Sequence, residues 1–288
     1  GVGSCSVASG PGYQHLATDR GVSFTEEEGP RFDPGLLGSS VAAGVRPAEE
    51  ALERTADEGI SLESALSEIG YRGDAMIEAA QWDVWLELHV EQPERLEEAG
   101  RPVGVVTDIT GITHCAVTII CEANHAGATP MDRRTDALAA ASEFVLDIES
   151  GVNDLVESGN ETTVGSVSRV HVSPNANNVV PGKVELGVDI RAIDYSAMNQ
   201  LVSAAEKCLH RLECNREVET TFDREFDLDP VQLTQRIRSA ATRTGETAGI
   251  ETLSLHSGAA RDSMYVATVT DAGMLFARLE RRHFAQSP

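Results

Sequence analysis

Apolar and polar residues along this chain change period several times, and each change marks an element. Pro47 to Asp57 and Ser61 to Ile69 carry helical spacing, the second with Ser61 placed to cap it. Leu86–Glu87–Leu88–His89–Val90–Glu91 alternates, which predicts a strand with His89 on one face between two carboxylates. Residues 110 to 223 then spell a self-contained order. It runs strand His114–Glu122, helix Thr135–Ser150 stopping at Gly151, strands Thr162–Val172 and Lys183–Ile193, a helix from Ser196 to about Leu212, and strand Glu217–Phe222. Leu138, Ala141, Val145 and Ile148 form one apolar stripe along the first helix. The order β-α-β-β-α-β predicts a ferredoxin-like module, one four-stranded sheet with both helices on one face.

Beyond it, Gln232–Thr244 reads as helix, Thr252–His256 as strand, Arg261–Val266 as a short helix and Gly273–Ala277 as strand. Alternating elements on both sides of the module predict a discontinuous α/β domain, residues 1–109 and 224–288, hosting an inserted domain over 110–223. Residues 1–22 stand apart: Gly1 to Gly21 hold five glycines, three serines and two charges, with no sustained period.

Composition narrows the partners. A hydrophobic share of 41% over 288 residues supports a packed core. No apolar run approaches the roughly 18 residues of a membrane span, and no charged-then-apolar leader opens the sequence. Against 46 acidic residues stand 23 basic ones, only Lys183 and Lys207 being lysines, for a net charge of -23. Such a chain repels nucleic acid and anionic membranes, so neither is an expected partner. The balance fits the solvated acidic surface of a salt-adapted cytoplasmic protein better than a dedicated cation store. Cys5, Cys115, Cys121, Cys208 and Cys214 are odd in number and lack zinc-finger spacing, which points to reduced thiols in a cytoplasm.

Several segments can carry chemistry. In Phe24-Thr25-Glu26-Glu27-Glu28-Gly29 a strand is expected to end in consecutive carboxylates at the carboxyl edge of a sheet. One acid there can bind a metal while its neighbour takes a proton from water; a charge run on a solvated loop is the plainer alternative. His89 reads by default as a satisfied strand histidine. His125, in Asn124-His125-Ala126-Gly127-Ala128-Thr129-Pro130-Met131, sits in a shaped turn able to present an imidazole to a developing oxyanion. Pro174 to Gly182, with Asn178, forms a second rigid turn or simply a hairpin connection. Asp189-Ile190-Arg191 ends a strand with a guanidinium suited to gripping a carboxylate, or to an ordinary ion pair.

Taken in order, Glu-Glu-Gly, His-Val-Glu-Gln, His-Ala-Gly-x-Thr-Pro-Met, Asn-Val-Val-Pro-Gly and Asp-x-Arg around such a module resemble one family. The chain looks like the hydantoinase/carbamoylase-type amidohydrolases: N-carbamoyl-L-amino-acid hydrolases, allantoate amidohydrolases and ureidopropionases. The resemblance covers roughly residues 22 to 277. It implies a zinc-exopeptidase-like catalytic domain with an inserted ferredoxin-like dimerisation domain, a cytoplasmic homodimer, and a site with two zinc ions, or manganese or cobalt. By resemblance Glu27 matches the general base, Glu28 a ligand of one metal and His89 a ligand of the other. His125, Asn178 and Arg191 match substrate-binding residues, with His125 reaching into the partner subunit's site. The implied reaction is hydrolysis of a ureido C–N bond in a small carbamoyl or ureido acid, Arg191 holding its carboxylate.

The chain also departs from the family. A His-x-Asp segment and a further Asp upstream of Glu-Glu-Gly supply a ligand and the bridging carboxylate there. Here 26 residues precede Glu27, and His15 lacks that context, which implies truncation. The family's last ligand is a histidine in a tail close to Asp-Gly-Ile-Ser-His-Ser-Pro, whereas this chain ends Arg281-Arg282-His283-Phe284-Ala285-Gln286-Ser287-Pro288. The codons CGA CGG CAT TTC GCA CAG TCC encode Arg-Arg-His-Phe-Ala-Gln-Ser, and read from the second base they yield Asp-Gly-Ile-Ser-His-Ser. A frameshift near Arg278 is therefore expected, with His283 not the missing ligand. The turn after His89 reads Gln92-Pro93-Glu94 in place of Gln-Gly-Pro, and Gly258-Ala259-Ala260-Arg261-Asp262 places a permanent cation where the family has a site histidine. Arg261 beside two metal ions would be repulsive. With Glu28 and His89 leaving one ligand per ion, the metal site is expected to be incomplete. A non-catalytic relic or dimeric binding protein of the same fold is the alternative, and a dipeptidase-like exopeptidase a third reading that the Asn178/Arg191 pair opposes.

Overall fold

The computed structural model describes residues 2–3, 20–32, 35–73 and 77–279. Cys5, His15 and the tail from Glu280 to Pro288, with His283 and the shifted frame expected there, lie outside the described residues. The chain divides into two compact units, one of residues 1–106, 233–254 and 261–288, the other of residues 107–232 and 255–260.

The first unit opens with helices α1 (Leu37–Ala42), α2 (Ala48–Glu53) and α3 (Leu62–Glu68). Ser61 caps α3 as its position predicts, its hydroxyl accepting from the Ser64 amide at 3.2 Å. The helix expected to reach Asp57 stops at Glu53, because Thr55 leaves it to pair with Ser61 in an isolated bridge. Strand β1 (Trp85–Val90) follows, then β2 (Val103–Ile109), which carries the chain into the second unit.

The second unit runs β3 (Gly111–Ile120), α4 (Ala137–Glu157), β4 (Val164–Ser173), β5 (Lys183–Ala192), α5 (Tyr195–Arg216) and β6 (Glu219–Leu228). Its sheet has the antiparallel order β6-β3-β5-β4. Val117, Ile119, Leu186 and Ile190 from the strands meet Phe144 and Ile148 of α4 and Leu201 and Leu209 of α5 in one continuous core. Two expectations are corrected here. Helix α4 does not stop at Gly151; it continues to Glu157, and a Cβ on Gly151 would meet Leu201 Cδ1 at 2.9 Å. That glycine serves a close helix–helix approach, not a helix end. Strand β6 runs past Phe222 to Leu228, still paired with β3 at Leu228↔Ile112.

Asp136 starts α4, its carboxylate accepting from the Leu138 and Ala139 amides at 3.0 and 3.1 Å. Asp136→Ala is expected to cost about 1 kcal/mol of stability, read as a lower urea midpoint with unchanged slope.

The chain then returns through α6 (Gln235–Ala248), β7 (Thr252–Ser257), α7 (Ser263–Val266) and β8 (Ala272–Ala277). Helix α6 begins later than Gln232 because Val231 and Gln232 pair with Ile109 and Asp108 as a short strand. In the first unit β8 lies between β1, to which it is parallel, and β2, to which it is antiparallel. Together these elements make a mixed α/β fold. Among the described residues no helix is long and apolar enough to cross a membrane.

Candidate active site in the first unit

The Glu-Glu-Gly segment does not end a strand. Gly21 and Val22 pair briefly with Val2 and Gly3, but residues 23–29 form a bend in which Glu26 adopts φ 53. That left-handed residue breaks the extended backbone, and its carboxylate accepts from the Arg31 and Phe32 amides at 3.3 and 3.1 Å. The bend is held against α1 by backbone bonds from Leu36 to Glu27, Leu37 to Glu26 and Gly38 to Thr25. Gly35 makes this approach possible, since a Cβ there would lie 2.7 Å from the Glu27 carbonyl oxygen. Within the bend, Phe24 packs on Trp85 with ring centroids 5.4 Å apart, tying the loop to β1.

Strand β1 alternates as the sequence predicts, with an unusual outcome. Its polar side, Glu87, His89 and the following Glu91, faces inward, while Leu86, Leu88 and Val90 are exposed, Leu88 at 72%. Each buried acid accepts hydrogen bonds that offset part of its burial, although Glu91 Oε1 has no partner. Glu87 accepts from the Ser263 amide at 2.9 Å and its hydroxyl at 2.6 Å, and Glu91 accepts from the Leu96 amide at 2.8 Å. The Ser263 hydroxyl in turn accepts from the Trp85 indole at 2.9 Å. This buried Glu87–Ser263–Trp85 chain is a set that sequence reading missed. Its only signal was a glutamate at an inward strand position.

Glu27, Glu28 and His89 converge: one donor atom of each lies within 4.8 Å of the others. His89 Nδ1 lies 2.8 Å from the Val90 carbonyl, which can only accept, so Nδ1 is the donor in that contact. Arg261 completes the cluster. Its side chain is 5% exposed, and Nη1 lies 3.1 Å from Glu27 Oε1 and 3.9 Å from Glu28 Oε1. Burial pushes the Glu27 carboxyl above the ordinary glutamate range; Arg261 draws it back and the neighbouring Glu28 adds to the rise. Next to Arg261, burial pushes Asp262 up to about 7 against a hydrogen bond from Ser39, with Glu87 adding to the rise.

The other residues singled out by sequence belong to the second unit. His125 Nδ1 accepts from the Gly127 and Ala128 amides, both at 3.1 Å, which leaves Nε2 to carry the proton. His125 pairs with Val179, and Ala126 N donates to the Asn178 carbonyl at 2.9 Å, so the two turns are zipped side by side. Arg191 is elsewhere. Its Nε and Nη2 clasp Asp189 at 2.8 Å each, and Nη1 donates to the Gly258 carbonyl at 3.1 Å. Three of the five guanidinium N–H groups are thereby engaged, leaving two for an anion.

Burial would raise the Asp189 carboxyl, but the Arg191 fork and His114 outweigh it and hold it well below the ordinary aspartate range. A depressed carboxyl stabilises the fold above its unfolded value, about 3.9, and loses that contribution as pH falls through the lower folded value. Asp189→Asn is therefore expected to flatten the acid limb of stability below about pH 4, seen in urea melts taken across that range.

No family model matches the chain. It is 39% identical over 261 residues to the N-carbamoyl-L-amino acid amidohydrolase of Geobacillus stearothermophilus, a match covering 89% of this chain and 62% of that protein. It is 31% identical over 257 residues to the allantoate amidohydrolase of Bacillus subtilis (strain 168), covering 88% of this chain and 61% of that one. The crystal structure of a hydantoinase/carbamoylase family amidase from Burkholderia multivorans superposes with a TM-score of 0.80 at 33% identity, over 88% of this chain and 61% of that one. The chain is similar in fold and in sequence to proteins named as amidohydrolases and amidases. It belongs to the hydantoinase/carbamoylase family of amidases. The chain spans about three fifths of the length of these relatives.

Proposed function

We propose that this protein hydrolyses the ureido C–N bond of a small carbamoyl or ureido acid. The observation that carries the reading is the convergence of Glu27, Glu28 and His89, with burial raising the Glu27 carboxyl above its ordinary range. The relatives named for N-carbamoyl amino acids and allantoate supply the substrate class.

The donor set fits one divalent ion, zinc, manganese or cobalt. Glu28 and the His89 imidazole, whose far nitrogen is pinned to a carbonyl, would hold it, two protein ligands beside the base Glu27. When bound, such an ion polarises the substrate carbonyl and makes water more acidic. Glu27 takes the proton from the attacking water and passes it to the departing nitrogen. Glu28 and His89 hold their positions because the loop is tied to α1 and β1 is paired to β8. For an N-carbamoyl acid the balance is R–NH–CO–NH2 plus water giving R–NH2, carbon dioxide and ammonia.

In the second unit, Arg191 is proposed to bind the substrate carboxylate, with His125 and Asn178 engaging the ureido group. His125 and Asn178 adjoin the Lys183 end of β5, whereas Arg191 lies eight residues further along that strand, about 26 Å away at 3.3 Å per residue. No small ureido acid spans that distance, so within one copy these residues cannot share a substrate. This supports a homodimer in which a second copy supplies His125 and Asn178. A cytoplasmic setting belongs to the same proposal and accords with Cys115, Cys121, Cys208 and Cys214 all being free thiols.

The test is a substrate panel in high salt with added manganese or zinc. Ammonia release is expected from N-carbamoyl-L-amino acids, ureidopropionate or allantoate and not from a dipeptide. Cleavage of the dipeptide alone would overturn the ureido reading.

A further inference from the structure

We propose that the Arg261 guanidinium is the resident cation of the Glu27–Glu28 pair and restricts this centre to a single, weakly held divalent ion. The inference rests on the metal-site reading above and concerns how the site is occupied. Arg261 is almost wholly buried, its Nη1 reaches both carboxylates, and its Nε finds no hydrogen-bond partner. A buried guanidinium so placed depends on those two acids for its charge balance. It cannot relieve the situation by losing its proton, since arginine stays charged at any working pH.

The backbone gives it little room to withdraw. The Arg261 carbonyl accepts from the Met264 amide at 2.9 Å at the start of α7, and Ser263 two residues on is clasped twice by Glu87. An ion held by Glu28 beside Glu27 would therefore bring two positive charges close to a third that stays. One lone pair of Glu27 Oε1 is already committed to Nη1. Among the described residues no other group of histidine, cysteine or carboxylate donors gathers to hold a second ion. The two-ion count that the family resemblance implies becomes one in this proposal.

Equilibrium dialysis of the whole protein against zinc alone and manganese alone, with elemental analysis, tests it. High salt screens adventitious binding to the acidic surface. The wild type is expected to hold no more than one ion per chain. Arg261→His is expected to bind at least tenfold more tightly, and Arg261→Lys, which keeps the charge, to stay close to wild type. Circular dichroism checks each fold, and Arg261→Gln replaces the histidine variant if that one does not fold. Two tightly bound ions in the wild type, or equal affinity across the charged and uncharged variants, would overturn the proposal. Turnover is not the readout. A protein that binds ions as expected and releases no ammonia refutes the proposed activity and leaves this inference standing.

Discussion

Glu27→Gln is expected to lower the turnover of a ureido acid by about 10²- to 10⁴-fold, the range a positioned general base contributes. The amide keeps the size of the side chain and a hydrogen-bonding oxygen, so the loop tied to α1 should hold its shape. What disappears is the ability to take a proton from water, together with the charge that faces Arg261. Substrate affinity should change far less than kcat, because Glu27 is assigned to the chemical step and the grip on substrate to Arg191, His125 and Asn178. Steady-state kinetics on the best substrate of the panel separates the two. A variant with near wild-type kcat would remove Glu27 from its role.

The largest effect on stability is expected at Phe144. Its side chain is wholly buried in the core of the second unit, among residues of α4, α5 and the sheet. Phe144→Ala is expected to cost about 3–5 kcal/mol, because neighbours held by two helices and four strands collapse only partly into the space left. Urea unfolding followed by circular dichroism measures it, and a loss below about 1 kcal/mol would mean that this core repacks freely.

Much of this was legible in the sequence, for physical reasons that differ by element. The second unit was readable because its two long helices and its central strands β3 and β5 each bury one face, so period located them. The cap at Ser61 was readable because its chemistry is local. Gly151 misled because a glycine in a helical run signals an end, whereas here it marks the crossing with Leu201, a partner that pattern cannot show. The Glu-Glu-Gly segment was placed on a strand although Glu26 turns left-handed, since nothing in three consecutive glutamates reveals which one caps the next turn. Arg261 was recognisable as an odd cation. Its contact with Glu27, 234 positions away in sequence, is a tertiary fact. Likewise Asp-x-Arg announced a guanidinium at a strand end, but not that Asp189 would occupy its fork.

The central claim is that Glu27, Glu28 and His89 form an ion-supported hydrolytic site. It is tested most directly by ammonia release from the preferred ureido acid before and after chelation. The account predicts that the stripped, still folded protein is inactive and that added zinc, manganese or cobalt restores hydrolysis. Undiminished ammonia release after chelation, or none with any ion from a folded protein, would contradict it.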